Sequence, residues 1–200
     1  SSVKRFALPL AGLGVLAFVA LPVYAHCGKC AMDCKEVLKQ MDTGKMTAAS
    51  MIATAEAHAK GKAVGLMVDL EKDKMDADVF VLVGDKVQAV AIGADGKAGK
   101  MDEVKSMTGM AAVIQAMDAA KVTMGAVIAA AEEKSKGKAL AVTASATGGK
   151  ASFEVYCLAG DKIQKVTVDN AGKAKDMSDT EATALPAAAN EEKPKPKPGG

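Results

Sequence analysis

An offset of 76 residues lays this 200-residue chain on itself without a gap. Lys60-Gly61-Lys62-Ala63 returns as Lys136-Gly137-Lys138-Ala139, and Gly84-Asp85-Lys86 as Gly160-Asp161-Lys162, each followed by Gln two positions on (Gln88, Gln164). Gly96-Lys97-Ala98 returns as Gly172-Lys173-Ala174, and Met41-Asp42 as Met117-Asp118. The register holds from about Val37/Val113 to Met101/Met177, too long a span for chance. A period of this kind requires two copies of one small unit, each of which must hide its apolar surface against something.

Both copies give the same local reading. A short helix near Lys35–Met41, or Ala111–Met117, precedes Thr47 or Thr123, which can cap a longer helix. Behind Thr47, Met51, Ile52, Ala55 and Ala59 recur at helical spacing, and Gly61 and Gly137 are placed to end the long helices. The period then changes to two through Val64, Leu66, Val68 and Leu70. A turn is expected at Asp73–Asp76, or at Gly148-Gly149 in the second copy, leading into strands over 77–83 and 152–159. Gly84-Asp85 and Gly160-Asp161 turn again, into strands over 86–92 and 163–168. The expected fold is α+β: two tandem repeats, each a major helix packed on a three-stranded antiparallel β-meander. Its second strand is apolar on both faces, Val79, Val81 and Val83 on one and Phe80 and Leu82 on the other. One helix covers one face, so the other needs the sister copy or a second molecule, since about 75 residues alone make a thin core.

These residues, in this order, resemble the PepSY domain, a cystatin-like unit. The carriers are the Thr-capped Ala-rich helix, the Gly-Lys-Ala motif, Val79-Phe80-Val81-Leu82-Val83-Gly84-Asp85-Lys86, and Ala94-Asp95-Gly96-Lys97-Ala98. Phe153 to Tyr156 and Asp169 to Lys173 make the second copy the closer match. The resemblance covers roughly 45–180 and implies two such domains in tandem. It also implies a binding role, since PepSY domains occur in propeptides of secreted metalloproteases and in small secreted proteins, where peptidase inhibition or general binding has been proposed. No His-Glu-x-x-His segment follows here, so any inhibition would act in trans.

The first 25 residues read as an address. Lys4-Arg5, an apolar stretch from Phe6 to Val23 and a Val23-Tyr24-Ala25 ending describe a secretory signal peptide with a mature start at His26. The alternative is an uncleaved anchor, because Phe6–Ala25 could just span a bilayer. The expected location is periplasmic or secreted, with no transmembrane segment after cleavage. Loss of Lys4 and Arg5 from a chain of 26 basic and 24 acidic residues leaves 24 of each. A neutral chain with no Trp and only two Tyr offers neither the charge nor the stacking surface that nucleic acid needs. The expected organisation is a signal peptide over 1–25, a Cys-rich segment over 26–34, repeats over 35–102 and 103–178, and a disordered Pro/Lys tail over 179–200.

Three of the four Cys and one of the two His fall within His26–Cys34. His26, Cys27, Cys30 and Cys34 are the candidate metal ligands: Cys27 and Cys30 have the CxxC spacing of a knuckle, and Cys34 adds a third soft donor. Copper(I) or zinc would suit them, with Met32 nearby. Cys27 to Asp33 also resembles the core of short heavy-metal-binding domains, without the upstream half of that motif. Two other readings stay open: structural disulfides, which an oxidising compartment favours, and thiol redox work. Cys157, mid-strand, reads as a small core hydrophobe.

His58 on the first long helix reads as a solvated surface residue, and Gly93–Lys100 as the turn closing the repeat rather than a phosphate loop. No carboxylate pair, nucleophile–base set or cofactor fingerprint emerges, so no enzyme is expected. What remains is an exported binding protein that takes a protein or peptide partner at a sheet surface or edge. A periplasmic soft-metal binder is the first alternative. A structural component of an envelope assembly, dimeric or self-assembling, is the second.

Overall fold

In the computed structural model, residues 30–71 and 74–180 are described. The elements are α1 (Cys30–Thr43), α2 (Ala48–Ala59), β1 (Lys62–Glu71), β2 (Lys74–Val83), β3 (Lys86–Gly93) and β4 (Ala98–Glu103), then α3 (Met110–Ala120), α4 (Met124–Ser135), β5 (Lys138–Thr147), β6 (Lys150–Ala159), β7 (Lys162–Val168) and β8 (Ala174–Thr180). The first residues of α2 and α4, and of β1 and β5 through β4 and β8, all differ by 76. The architecture is α+β, with every strand in one antiparallel sheet of order β4-β3-β2-β1-β5-β6-β7-β8.

The two units join where β1 meets β5, with Leu66 opposite Val142 and Met67 opposite Ala141. Leu66 and Val142 are themselves equivalent under the 76-residue offset, so a local twofold axis passes between them. The chain is built like a symmetric dimer whose interface is a strand pair. Gly65 belongs to this seam: a Cβ there would stand 3.1 Å from the Val142 carbonyl oxygen. Bulges at equivalent places, after Ala63 and after Ala139, break both inner strands in the same way.

Thr47 caps α2 as expected. Its hydroxyl accepts from Ser50 N–H at 3.1 Å, while its own N–H donates to the Ser50 hydroxyl at 2.9 Å. Thr123 caps α4 with its hydroxyl accepting from Ala126 N–H at 3.2 Å, without the reciprocal bond, since Ala126 has no side-chain acceptor. The helix ends differ from expectation. The left-handed residue is Lys60 (φ 56°) in the first unit and Lys136 (φ 55°) in the second. Gly61 and Gly137 follow, and what makes them glycine is space. A Cβ on Gly61 would lie 2.3 Å from the Leu82 carbonyl oxygen, and one on Gly137 2.6 Å from that of Leu158. Glu56 and Glu132 tie each helix to the next strand by accepting from the N–H of Ala63 and Ala139.

Helices α2 and α4 pack on each other and on one face of the sheet, burying Val79, Val81 and Val90 with Val155, Cys157 and Val166. The second face carries Gly65, Met67, Phe80, Val87 and Ala89, and in the other unit Ala141, Tyr156, Leu158 and Ile163, all buried. Lys62 and Lys138 stand on that face beside Leu82 and Leu158. Their ion pairs cross the seam reciprocally, Lys62 to Asp118 on α3 and Lys138 to Asp42 on α1, each at 2.5 Å. Helix α1, at 14 residues longer than the short helix expected near Lys35–Met41, and α3 therefore cover the second face, each tied to the other repeat.

Several sequence expectations are corrected. Each unit has four strands, not three. β4 and β8 are polar edge strands whose only large apolar side chain is one methionine, so they carry no alternating signal. The boundaries at 102 and 178 fall inside the last strand or at its end, since β4 runs to Glu103 and β8 to Thr180. The segment read as Cys-rich overlaps α1 from Cys30 onward, and its residues 26–29 lie outside the described residues. The turn at Asp73–Asp76 is shorter than read: β2 starts at Lys74, which puts Asp76 in the strand. Among the described residues no single helix is long and apolar enough to cross a membrane.

Candidate functional site

The Cys cluster is only partly within the described residues. His26 and Cys27 lie outside them, and Cys30 is the first residue of α1. Cys34, four residues on, is 5% exposed and belongs to the core, at the position that Met110 fills in the second unit. Cys157 is fully buried on the helix-covered face near Ser135 at the end of α4. Burial pushes its thiol up to about 11; a hydrogen bond with Ser135 opposes this and the charge of Glu132 adds to it. A thiol so protonated and enclosed is a core side chain, not a nucleophile. Among the described residues there is no disulfide, and no group of three or more His, Cys, Asp or Glu is placed to hold a metal ion. His58 is exposed on α2.

The two outer strands form the first chemically distinct surface. Val104 N–H donates to Val87 O at 2.8 Å. In an antiparallel ladder alternate residues bond the same neighbour, so Met101 and Glu103 turn their backbone groups away from the sheet. The second unit repeats the register, with Ile163 opposite Thr180, which turns Met177 and Asp179 outward. Met101 and Met177, equivalent residues, are the exposed large hydrophobic side chains among the described residues, at 42% and 43%. Each edge is short. Between Ala98 and Met101 three steps on β4 face two on β3, and Ala174 to Met177 repeats this bulge on β8. Bulges and flanking charges limit open-ended association while leaving about four residues of straight edge.

The second surface is the part of the second face that α1 and α3 leave open. In the first unit Asp69 lies opposite Asp76, Asp78 is two residues further along β2, and Asp102 is on β4. Only Ala89 and Ala91 of β3 separate Asp78 from Asp102. Partial burial raises the Asp78 pKa, and the charges of Asp76 and Asp102 raise it further. In the second unit the equivalent of Asp78 is Glu154, and the equivalent of Ala89 is Lys165. Lys165 Nζ lies 3.0 Å from Glu154 Oε1, and the Tyr156 hydroxyl donates to the other carboxylate oxygen at 3.2 Å. Burial first, then the neighbouring Glu154 charge and that hydrogen bond, push the Tyr156 phenol up to about 12.

Sequence reasoning read Asp73–Asp76 as a turn and passed over Asp78, Asp102 and Lys165. The signal was present in the duplication, where an acid stands with a lysine in one copy and without it in the other. It becomes legible only once β2 and β3 are in register.

No protein-family model and no curated protein matches the chain. Among solved structures the chain is similar to a crystal structure described as that of a "putative lipoprotein" from Clostridium difficile 630. The two share 13% identity over 64% of this chain and 90% of the other, with a TM-score of 0.38.

Proposed function

We propose that this is an exported, non-catalytic binding protein of two PepSY-like units that captures an extended polypeptide by strand addition at its sheet edges. The observation that carries the reading is the pair of outer strands. At equivalent positions, each presents outward-turned backbone groups beside an exposed methionine, while helices cover one face of the sheet and part of the other. An added strand gains main-chain hydrogen bonds from such an edge and a side-chain contact from the methionine. A secreted peptidase, whose substrates bind extended, fits this mode, as does another envelope polypeptide.

Amide exchange on the full chain tests it, with a panel of extended peptides as the probe. Outward N–H groups at Met101, Glu103, Met177 and Asp179 exchange freely in the unbound chain and should become protected on binding, together with neighbours on the same strand. A peptide that binds without slowing exchange at either edge overturns strand addition.

The soft-metal reading through His26, Cys27, Cys30 and Cys34 asks more of the fold, because Cys34 occupies a core position. Metal per chain and thiol count, native and denatured, decide it. Stoichiometric copper or zinc with thiols masked until denaturation would support the metal reading. A metal-free chain would leave Cys34 as a packing residue.

A further inference from the structure

The β4 edge carries a charge pattern that matches its own reverse. Lys100 precedes Met101 and Asp102 follows it. Met101 stands opposite the buried Val90 and so lies on the helix-covered face. Lys100 and Asp102 share the other face, where their side chains pair at 2.8 Å. Met101 and Lys100 are exposed and Asp102 is half-buried. Because Met101 and Glu103 turn their backbone groups outward while Asp102 turns inward, a strand added here must set outward residues against outward residues.

That condition leaves a second β4, running antiparallel, few registers. With Met101 opposite Met101, the two residues exchange both main-chain hydrogen bonds on a twofold axis. Lys100 then faces Asp102 on each side of the axis, in the non-hydrogen-bonded kind of pair, where Cα atoms lie about 4.5 Å apart and side chains meet most closely. Each Lys100 would stand between its own Asp102 and that of the other copy, so that four charges alternate in sign. Centring the pair on Asp102 opposes two aspartates, and centring it on Glu103 opposes two glutamates. One register alone avoids like charges.

The other edge lacks this property. β8 has Asp176 where β4 has Lys100, and Ser178 where β4 has Asp102. Its one lysine, Lys175, lies at the bulge and is held by Asp169 at 3.1 Å. Pairing β8 with itself about Met177 sets Asp176 against Ser178 and gains no ion pair there. Pairing β4 with β8, methionine to methionine, sets Asp102 against Asp176, and like charges directly opposite are destabilising. The charges thus favour a closed twofold pair over the open-ended array that β4–β8 contacts would build.

We propose that β4 is a self-recognition edge: two copies of this chain join β4 to β4 about an axis through Met101, forming one continuous sheet with β8 free at both ends. The operation is already present within the chain, where β1 and β5 meet with equivalent residues opposed. The proposal rests on the reading of β4 as an edge open to strand addition and names its partner there; β8 is left to take a foreign polypeptide.

Sedimentation of the full chain at rising concentration should show a monomer–dimer equilibrium, weaker at high salt. Lys100→Asp and Asp102→Lys each set like charges opposite one another at both positions, and each should weaken the dimer at least about tenfold. An equimolar mixture of the two variants restores both pairs and should dimerise again. The double exchange, Lys100→Asp with Asp102→Lys, should dimerise with itself and not with the native chain, and it carries the conclusion if circular dichroism shows a single variant misfolded. A chain that stays monomeric, single variants that dimerise like the native chain, a mixture that fails to recover, free mixing of the double exchange with the native chain, or growth beyond a dimer overturns the proposal. Amide exchange with peptide, measured at a dilution where the chain is single, keeps the two readings apart. Edges protected by peptide in a chain that never dimerises would leave capture standing and sink self-recognition. A dimer with the charge pattern above, and no peptide protection at β8, would do the reverse.

Discussion

Two adjacent residues at the end of α2 have opposite requirements, and exchanging their chemistry should show it. Lys60 is left-handed at φ 56°, with its N–H bonded to Glu56 O at 2.9 Å. Gly61 N–H reaches the same oxygen at 3.4 Å, the longer bond of a Schellman turn. A side chain in that conformation costs about 1–2 kcal/mol, and glycine gives back roughly 0.5–1 kcal/mol through its more disordered unfolded state. Lys60→Gly should therefore stabilise the chain by about 0.5–1 kcal/mol.

Gly61→Ala should do the reverse. Its Cβ would meet the Leu82 carbonyl oxygen at 2.3 Å and methyl groups of Val81 and Val83 at 2.7 and 2.9 Å. The carbonyl is backbone within the β1–β2 ladder and cannot swing aside, so the upper end of the overpacking range applies, about 3 kcal/mol. Gly84→Ala is the control, since its φ is +65° with nothing within 4 Å and only the conformational cost of about 1 kcal/mol remains. In urea unfolding followed by circular dichroism, with a slope of about 2 kcal/mol per molar, Gly61→Ala should lower the midpoint by about 1.5 M and Lys60→Gly should raise it by a few tenths. Were Gly61 the left-handed helix stop, the pattern would invert: Gly61→Ala would match Gly84→Ala, and Lys60→Gly would cost about 1 kcal/mol as a glycine inside a helix. That result would refute the assignment.

Other consequences follow from burial and charge. Asp78 has a raised carboxyl pKa in the fold, so its ionised form opposes folding once pH rises above the ordinary carboxylate range. Asp78→Asn should stabilise the chain at pH 7 by up to about 0.5 kcal/mol after screening, and thermal melts should show the gain vanish below about pH 4. Cys157, buried and with its pKa near 11, should resist iodoacetamide at pH 8 in the native chain and react fully in denaturant; peptide mass spectrometry would check both. Dilute peroxide should oxidise Met101 and Met177 before Met41, Met51, Met75 or Met124, which are at most 2% exposed. Equal oxidation of the core methionines would mean that the edges are not where the exposed thioethers lie.

The duplication, the α+β class, the Thr47 and Thr123 caps and six of the eight strands were legible because each rests on a local pattern. What escaped depended on register or on contact at a distance. β4 and β8 hold charged residues because an edge faces water, and such a strand lacks the apolar alternation that identifies one. Gly61 looked like a helix stop because glycine usually serves that purpose; its real constraint, the carbonyl of Leu82, lies 21 positions away. The seam between β1 and β5 has no sequence signature. It follows only from two apolar edges needing each other, with equivalent residues meeting on an axis.

That axis also locates where the two copies have stopped being equivalent. The helix-covered face is nearly unchanged under the offset: Val79 and Val155, Val81 and Cys157, and Val90 and Val166 are all fully buried, and a charge at any of them would meet a core without a partner. The open part of the second face has no such constraint, and there the copies differ: Asp78 and Ala89 stand where the second unit has Glu154 and Lys165, Lys100 stands where it has Asp176, and Asp69, Asp76 and Asp102 stand where it has serines. Charge is thus arranged differently in each copy at positions that meet water rather than a packed core. An Ala89→Lys chain that folds and gains stability at neutral pH, by pairing with Asp78 as Lys165 does with Glu154, would convert that unit into a copy of its neighbour.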